Sequence, residues 1–187
     1  MQASRRACPR EIRHLDIAFQ LVVFGVVLAS LTVHEWAHAF AAYRLGDSTA
    51  RDLGRMSLNP VVHIDLLGTI VLPLVAIVSG LPVLGWAKPV PVNMNRLGNP
   101  KRDFMMVAAA GPASNLVLAA GASAVFHGFG GVVGMSPGMF DPVTMAYMFV
   151  SINVLLAVFN MLPIPPLDGG NVLSGLLPDH MTGLLHG

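Results

Sequence analysis

Four apolar stretches dominate the chain: Ile17 to about Tyr43, Ile64 to about Leu84, Phe104 to about Phe126, and Val143 to Leu162. Each approaches the roughly 20 residues that a helix needs to cross the hydrocarbon of a bilayer. They direct the chain to an all-α polytopic membrane protein, because a lone strand or an irregular segment would leave its backbone polar groups unpaired in lipid. Composition agrees. Only 11% of the residues are charged against 54% hydrophobic, with a mean hydropathy of +0.66, whereas a soluble domain carries about 25% charged residues. A single membrane-embedded domain over residues 1–187 is expected, with polar connections at 44–60 and 85–103.

Charge and cysteine content exclude several function classes. The net charge of +1 offers no field for a nucleic-acid partner. Every Lys and Arg lies at or before Arg102, so the rest of the chain presents little charge to water. The only cysteine, Cys8, can form neither an intrachain disulfide nor a thiolate metal site, and any metal must be held by His and carboxylate. Arg5, Arg6, Arg10 and Arg13 ahead of an apolar run are reminiscent of a secretion signal. The run continues past Ser30 into polar residues, however, and is read as an uncleaved span.

Those polar residues are His34-Glu35-Trp36-Ala37-His38. Ionisable groups at membrane depth are costly to insert, by about 2.5–3.5 kcal/mol for a central charge, and therefore mark function. Two histidines four apart share one helix face, where both imidazoles can bind one zinc ion while the adjoining Glu35 serves as general base toward a zinc-activated water. The competing reading is a pair of packing histidines with a Glu counter-ion.

A catalytic zinc takes a third protein ligand. Most other carboxylates, Asp47, Asp65 and Asp103 among them, sit in flanks or loops and read as solvated surface charge. Asp168 differs. It follows the fourth apolar stretch in Asn160-Met161-Leu162-Pro163-Ile164-Pro165-Pro166-Leu167-Asp168-Gly169-Gly170, where the prolines stop the helix and the glycines let the backbone turn and approach a neighbour closely.

Together, His34 to His38 and Asn160 to Gly170, which fits N-x-x-P-x-P-x-L-D-G-G, resemble the site-2 protease family of intramembrane zinc metalloproteases, peptidase family M50. Gly111-Pro112-Ala113-Ser114-Asn115 resembles the family's third signature, and Asn59 to Gly68 and Gly85 to Asn93 are similar to compact members without PDZ or CBS domains. The resemblance implies one Zn²⁺ held by His34, His38 and Asp168, Glu35 as catalytic acid/base, and hydrolysis of a peptide bond in or near the transmembrane segment of a single-span substrate. Relatives usually continue with another hydrophobic segment, whereas this chain ends shortly after Leu177 with Pro178 to Gly187, as a truncated gene product or a fragment would.

A shared metal then constrains topology. His38 and Asp168 must reach the same side of the bilayer, which four full crossings would forbid. The stretch Ile64 to Leu84, interrupted by Gly68, Pro73, Gly80 and Pro82, is therefore expected to dip in and return, giving three to four membrane helices plus a re-entrant or broken segment around residues 64–93. The active-site side then holds Arg44, Arg51, Arg55, Lys88, Arg96, Lys101 and Arg102, and the positive-inside tendency makes it the cytoplasmic side of the cell membrane. A plain four-crossing count would distribute the same charges in favour of the opposite arrangement.

Asn160 and Asn115 are candidate oxyanion donors, with interhelical hydrogen bonding as the alternative. Asn153 is expected to bridge helices, and His63 to be a solvated loop histidine. The stretch Ala87 to Asn93 could offer a strand edge to an unwound substrate. A metal-ion transporter or a non-catalytic metal-binding membrane module would also use the ligands but would not explain Glu35. Haem ligation is weaker, because neighbouring imidazoles on one helix cannot take opposite axial positions. Substrate identity and oligomeric state leave no mark in the sequence.

Overall fold

The computed structural model describes residues 9–79, 81, 85–128 and 141–178, with side chains from residue 17 onward. Arg5, Arg6, Cys8, Gly80, Pro82 and the terminal stretch from Asp179 lie outside the described residues, as do the side chains of Arg10 and Arg13. Among the described residues, three helices are long and apolar enough to cross a membrane. They are α1 (Pro9–Arg44, apolar from Ile17), α4 (Pro100–Gly128) and α5 (Pro142–Asn160). Short helices α2 (Thr49–Asp52), α3 (Leu72–Ser79) and α6 (Asp168–Leu176), 3₁₀ turns at Pro60–His63 and Met94–Arg96, and a π-helical turn at Leu66–Val71 complete the described fold, and no strand occurs among the described residues. The chain is an all-α, multi-pass membrane protein.

Local chemistry sets the ends of these helices. α1 stops at Gly46, whose φ of 111° suits glycine. Gly46 N–H donates to Tyr43 O at 3.3 Å and Asp47 N–H to Ala42 O at 2.9 Å, the two bonds of a Schellman turn. Pro100 opens α4, and Pro142 opens α5 behind Asp141, which accepts from Val143 N–H and Thr144 N–H at 2.9 and 3.0 Å. Pro112 lies inside α4 and is buried there. α4 is the central helix, packing against α1, α5 and α6.

The second apolar stretch does not form a spanning helix. A π-helical turn over Leu66–Val71 runs into α3, and together they cover Leu66–Ser79. Fourteen helical residues extend roughly 20 Å, short of the roughly 30 Å hydrocarbon. The chain comes back to its entry point. Trp86 N–H donates to Gly68 O at 3.2 Å, and the Thr69 hydroxyl donates to Trp86 O at 2.8 Å. A Cβ on Gly68 would collide with the Trp86 indole, so glycine is what lets the returning chain close. The three membrane helices plus a broken, returning segment match the architecture expected from the sequence.

After its return, the chain runs extended from Gly85 to Asn93 as a strap tied to several elements. Lys88 N–H donates to His63 O at 2.8 Å, the Arg55 guanidinium donates to Lys88 O at 2.8 Å, and Asn93 N–H donates to Asp47 Oδ2 at 2.6 Å. These ties correct two expectations. His63 is no solvated loop residue: it is fully buried, with Nε2 against Ser57 O at 2.8 Å, because the strap closes over it. Asp47 and Asp103 are buried rather than surface charges, since both carboxylates accept backbone N–H groups, that of Asn93 at Asp47 and that of Asn99 at Asp103.

Candidate metal centre

The helical repeat puts His34 and His38 one turn apart on the face of α1 that meets α4, and both are buried. Their Nε2 atoms lie 3.0 Å apart. Asp168, the first residue of α6, brings Oδ2 to 3.1 Å from His34 Nε2 and 3.3 Å from His38 Nε2. The residues around Asp168 explain its reach. Beyond the end of α5 the chain folds back so tightly that a Cβ on Gly169 would strike Met161 O and Leu162 O, and one on Gly170 would come within 3.0 Å of Pro165 N. Gly111 of α4 does the same for the imidazoles, since a Cβ there would meet His38 Cε1 at 2.5 Å and His34 Nε2 at 2.6 Å.

The donor set fits a metal ion. Each histidine is held through its other nitrogen, His34 Nδ1–H donating to Asn115 Oδ1 and His38 Nδ1–H donating to Val107 O, both at 2.7 Å. With the protons on Nδ1, both Nε2 atoms turn lone pairs toward each other and toward Asp168 Oδ2. That oxygen is buried and has no hydrogen-bond partner of its own. Three lone-pair atoms facing one another form a set that a cation among them would stabilise. Their separations of 3.0, 3.1 and 3.3 Å compare with the roughly 3.3–3.4 Å between ligand atoms of a tetrahedral zinc with bonds of about 2.0–2.1 Å. Among the described residues this is the one group of three or more potential ligands that converges in this way.

Glu35 follows His34 and faces a cavity of about 550 Å³ that the triad also lines. The walls are largely apolar and include Leu31, Trp86, Phe104, Leu156 and Phe159. The Glu35 side chain is buried, and its Oε2 accepts the backbone N–H of Val90 at 3.0 Å.

The two candidate oxyanion residues are placed differently. Asn160 lines the cavity, and one amide proton donates to Leu156 O at 2.9 Å. Asn115 is fully buried, with its NH₂ directed at Asn153 Oδ1, 3.0 Å away, and Ser30 O, 3.4 Å away. Its amide protons are thus engaged between helices. Sequence reasoning missed Val107 O, a backbone group on which no side-chain pattern bears, and the link from Asn153 to His34. The signal for the latter was three amide or histidine side chains inside apolar stretches.

A family model of peptidase family M50 matches residues 127–183, which contain α5 and Asp168. "Putative zinc metalloprotease YwhC" of Bacillus subtilis is 38% identical over 173 residues, spanning 89% of this chain and 74% of that protein. The chain belongs to peptidase family M50. This M50 member is also 32% identical over 164 residues to "Putative zinc metalloprotease Rip2" of Mycolicibacterium smegmatis, of which it spans 57%. It is 32% identical over 152 residues to "Putative zinc metalloprotease Rip3" of Mycobacterium tuberculosis, of which it spans 30%. No solved structure matches it. The match to YwhC covers most of the chain, whereas the family model begins only at residue 127, beyond the two histidines.

Proposed function

We propose that this M50 peptidase is an intramembrane zinc metalloendopeptidase that hydrolyses a peptide bond in or near the transmembrane segment of a single-span membrane-protein substrate. The observation that carries the reading is the convergence of His34 Nε2, His38 Nε2 and Asp168 Oδ2 within 3.0–3.3 Å, beside Glu35, on an apolar cavity.

His34, His38 and Asp168 would hold one Zn²⁺. When bound, zinc supplies Lewis acidity, polarising a carbonyl and bringing the pKa of water toward about 7. Glu35, a carboxylate in reach of the same cavity, takes the proton of the attacking water and returns it to the leaving amine. Asn160 keeps a second amide proton beyond the one on Leu156 O, and offers it to the oxygen that becomes negative as the carbonyl is attacked. Asn115, with its amide protons committed, holds His34. The apolar walls suit the side chains of a transmembrane segment.

The strap contacts Glu35 through the Val90 N–H, and the substrate, unwound locally, lies along it. Arg44, Arg51, Arg55, Lys88, Arg96, Lys101 and Arg102 flank this end of the bundle, and by the positive-inside tendency it faces the cytoplasm across the cell membrane.

The test is cleavage of a panel of single-span model substrates by purified protein reconstituted with zinc, comparing the wild type with Glu35→Gln. The variant is expected to keep its zinc and lose cleavage by about 10²–10⁴-fold. A Glu35→Gln protein that cleaves like the wild type overturns the reading. Zinc flux across proteoliposomes undiminished by the same substitution would favour a transporter.

A further inference from the structure

We infer that Asn153 is a positioning residue for metal binding: acting through Asn115, it fixes which ring nitrogen of His34 carries the proton. The inference rests on the metallopeptidase reading above and adds a residue to it.

The relay runs through three helices. On α5, Asn153 Nδ2 donates to Phe149 O at 2.9 Å. Asn153 Oδ1 accepts from Asn115 Nδ2 on α4 at 3.0 Å, and Asn115 Oδ1 accepts from His34 Nδ1 on α1 at 2.7 Å. Asn115 and Asn153 are both fully buried, so no water can replace a missing partner.

The direction of this chain follows from its far end. Phe149 O is a backbone carbonyl and can only accept, so the group of Asn153 that faces it is the NH₂ and the group that faces Asn115 is the carbonyl. Asn115 must then offer its own NH₂ to Asn153, which leaves its carbonyl for His34. A carbonyl can bond His34 only if Nδ1 carries the proton, and Nε2 is left as a lone pair toward His38 and Asp168. The Ser30 carbonyl favours the same orientation of Asn115, from the longer distance of 3.4 Å.

Without the Asn153 acceptor, Asn115 loses its closer anchor and can turn its NH₂ toward His34. That orientation favours the tautomer with the proton on Nε2, which leaves no lone pair facing His38 and Asp168 until the proton shifts. A bridge that merely glued helices together would have no such consequence for the metal.

The test is zinc affinity of the full-length purified protein, measured by competition with a chromophoric chelator, with thermal unfolding as the check on folding. Asn153→Leu is expected to weaken zinc binding about tenfold, within the range seen when groups behind a ligand are removed. In an Asn115→Asp background, whatever its own affinity, the same substitution should change binding less than about twofold, because a carboxylate has no NH₂ to turn toward the imidazole. Should Asn153→Leu not fold, Asn153→Ala removes the same acceptor without overfilling the site. Wild-type zinc affinity in the folded variant, or equal weakening in both backgrounds, overturns the inference. A wild-type protein that binds no zinc would instead strike at the metallopeptidase reading itself.

Discussion

Val90 presents its backbone N–H to Glu35 Oε2 at 3.0 Å, so the extended strap that walls the cavity also holds the carboxylate beside the two imidazoles. The neighbouring Pro89 and Pro91 have no N–H to offer. The Val90 amide is thus the one donor that residues 89–91 can present to Glu35. Because it sits outside the ligand set, positioning of the base and retention of the metal can be separated by experiment.

Val90→Pro removes this donor while preserving an extended backbone. Cleavage of a model substrate is expected to fall roughly ten- to hundredfold through misplacement of Glu35, with zinc content unchanged. Cleavage at the wild-type rate would show that the bond contributes nothing to the reaction.

Gly111 and Gly121 lie on the same helix and should respond oppositely to alanine. At Gly111 a methyl group collides with both imidazoles, whereas at Gly121 it meets nothing within 4 Å. Gly111→Ala is expected to abolish tight zinc binding and cost about 1–3 kcal/mol through overpacking. Gly121→Ala should keep the zinc and stabilise the helix by up to about 1 kcal/mol. Zinc titration and thermal unfolding of the two variants check both.

Asp47 makes the strap sensitive to acid. Burial raises the pKa of its carboxyl, but bonds from the Thr49 hydroxyl, the Asn93 and Thr49 N–H groups, and the charge of Arg96 prevail and hold it below its ordinary value of 3.8. A carboxylate whose folded pKa is depressed contributes stability that is complete above the unfolded value and is lost as pH falls through the folded one. Thermal stability of the wild type should therefore drop below about pH 4, and Asp47→Asn should flatten that limb. At neutral pH the same variant is expected to lose about 1–3 kcal/mol, because buried N–H groups lose their charged acceptor. Unfolding curves between pH 3 and 7 measure both effects.

Much of this was legible in the sequence because it rests on spacing and on hydropathy. The four-residue separation of His34 and His38 fixes a shared helix face wherever the helix lies. A metal shared with Asp168 requires the second apolar stretch to return, and the structure shows that return at Gly68 and Trp86. What was not legible depends on the folding of polar connections. His63, Asp47 and Asp103 look solvated in a linear reading and are buried because the strap and the start of α4 close over them. Asn115 and Asn153 are 38 residues apart, and only the packing of α4 on α5 makes them one chain of hydrogen bonds ending on His34.

The central claim is that two imidazoles of α1 and the carboxylate of α6 hold one zinc ion. Elemental analysis of the purified chain, combined with zinc-edge X-ray absorption, tests it most directly. The account predicts one zinc per wild-type chain, bound by two imidazole nitrogens and a carboxylate oxygen at about 2.0–2.2 Å, and lost in a folded Asp168→Ala variant. A wild-type chain that takes up no zinc, or an Asp168→Ala chain that retains it with the same coordination, would contradict the account.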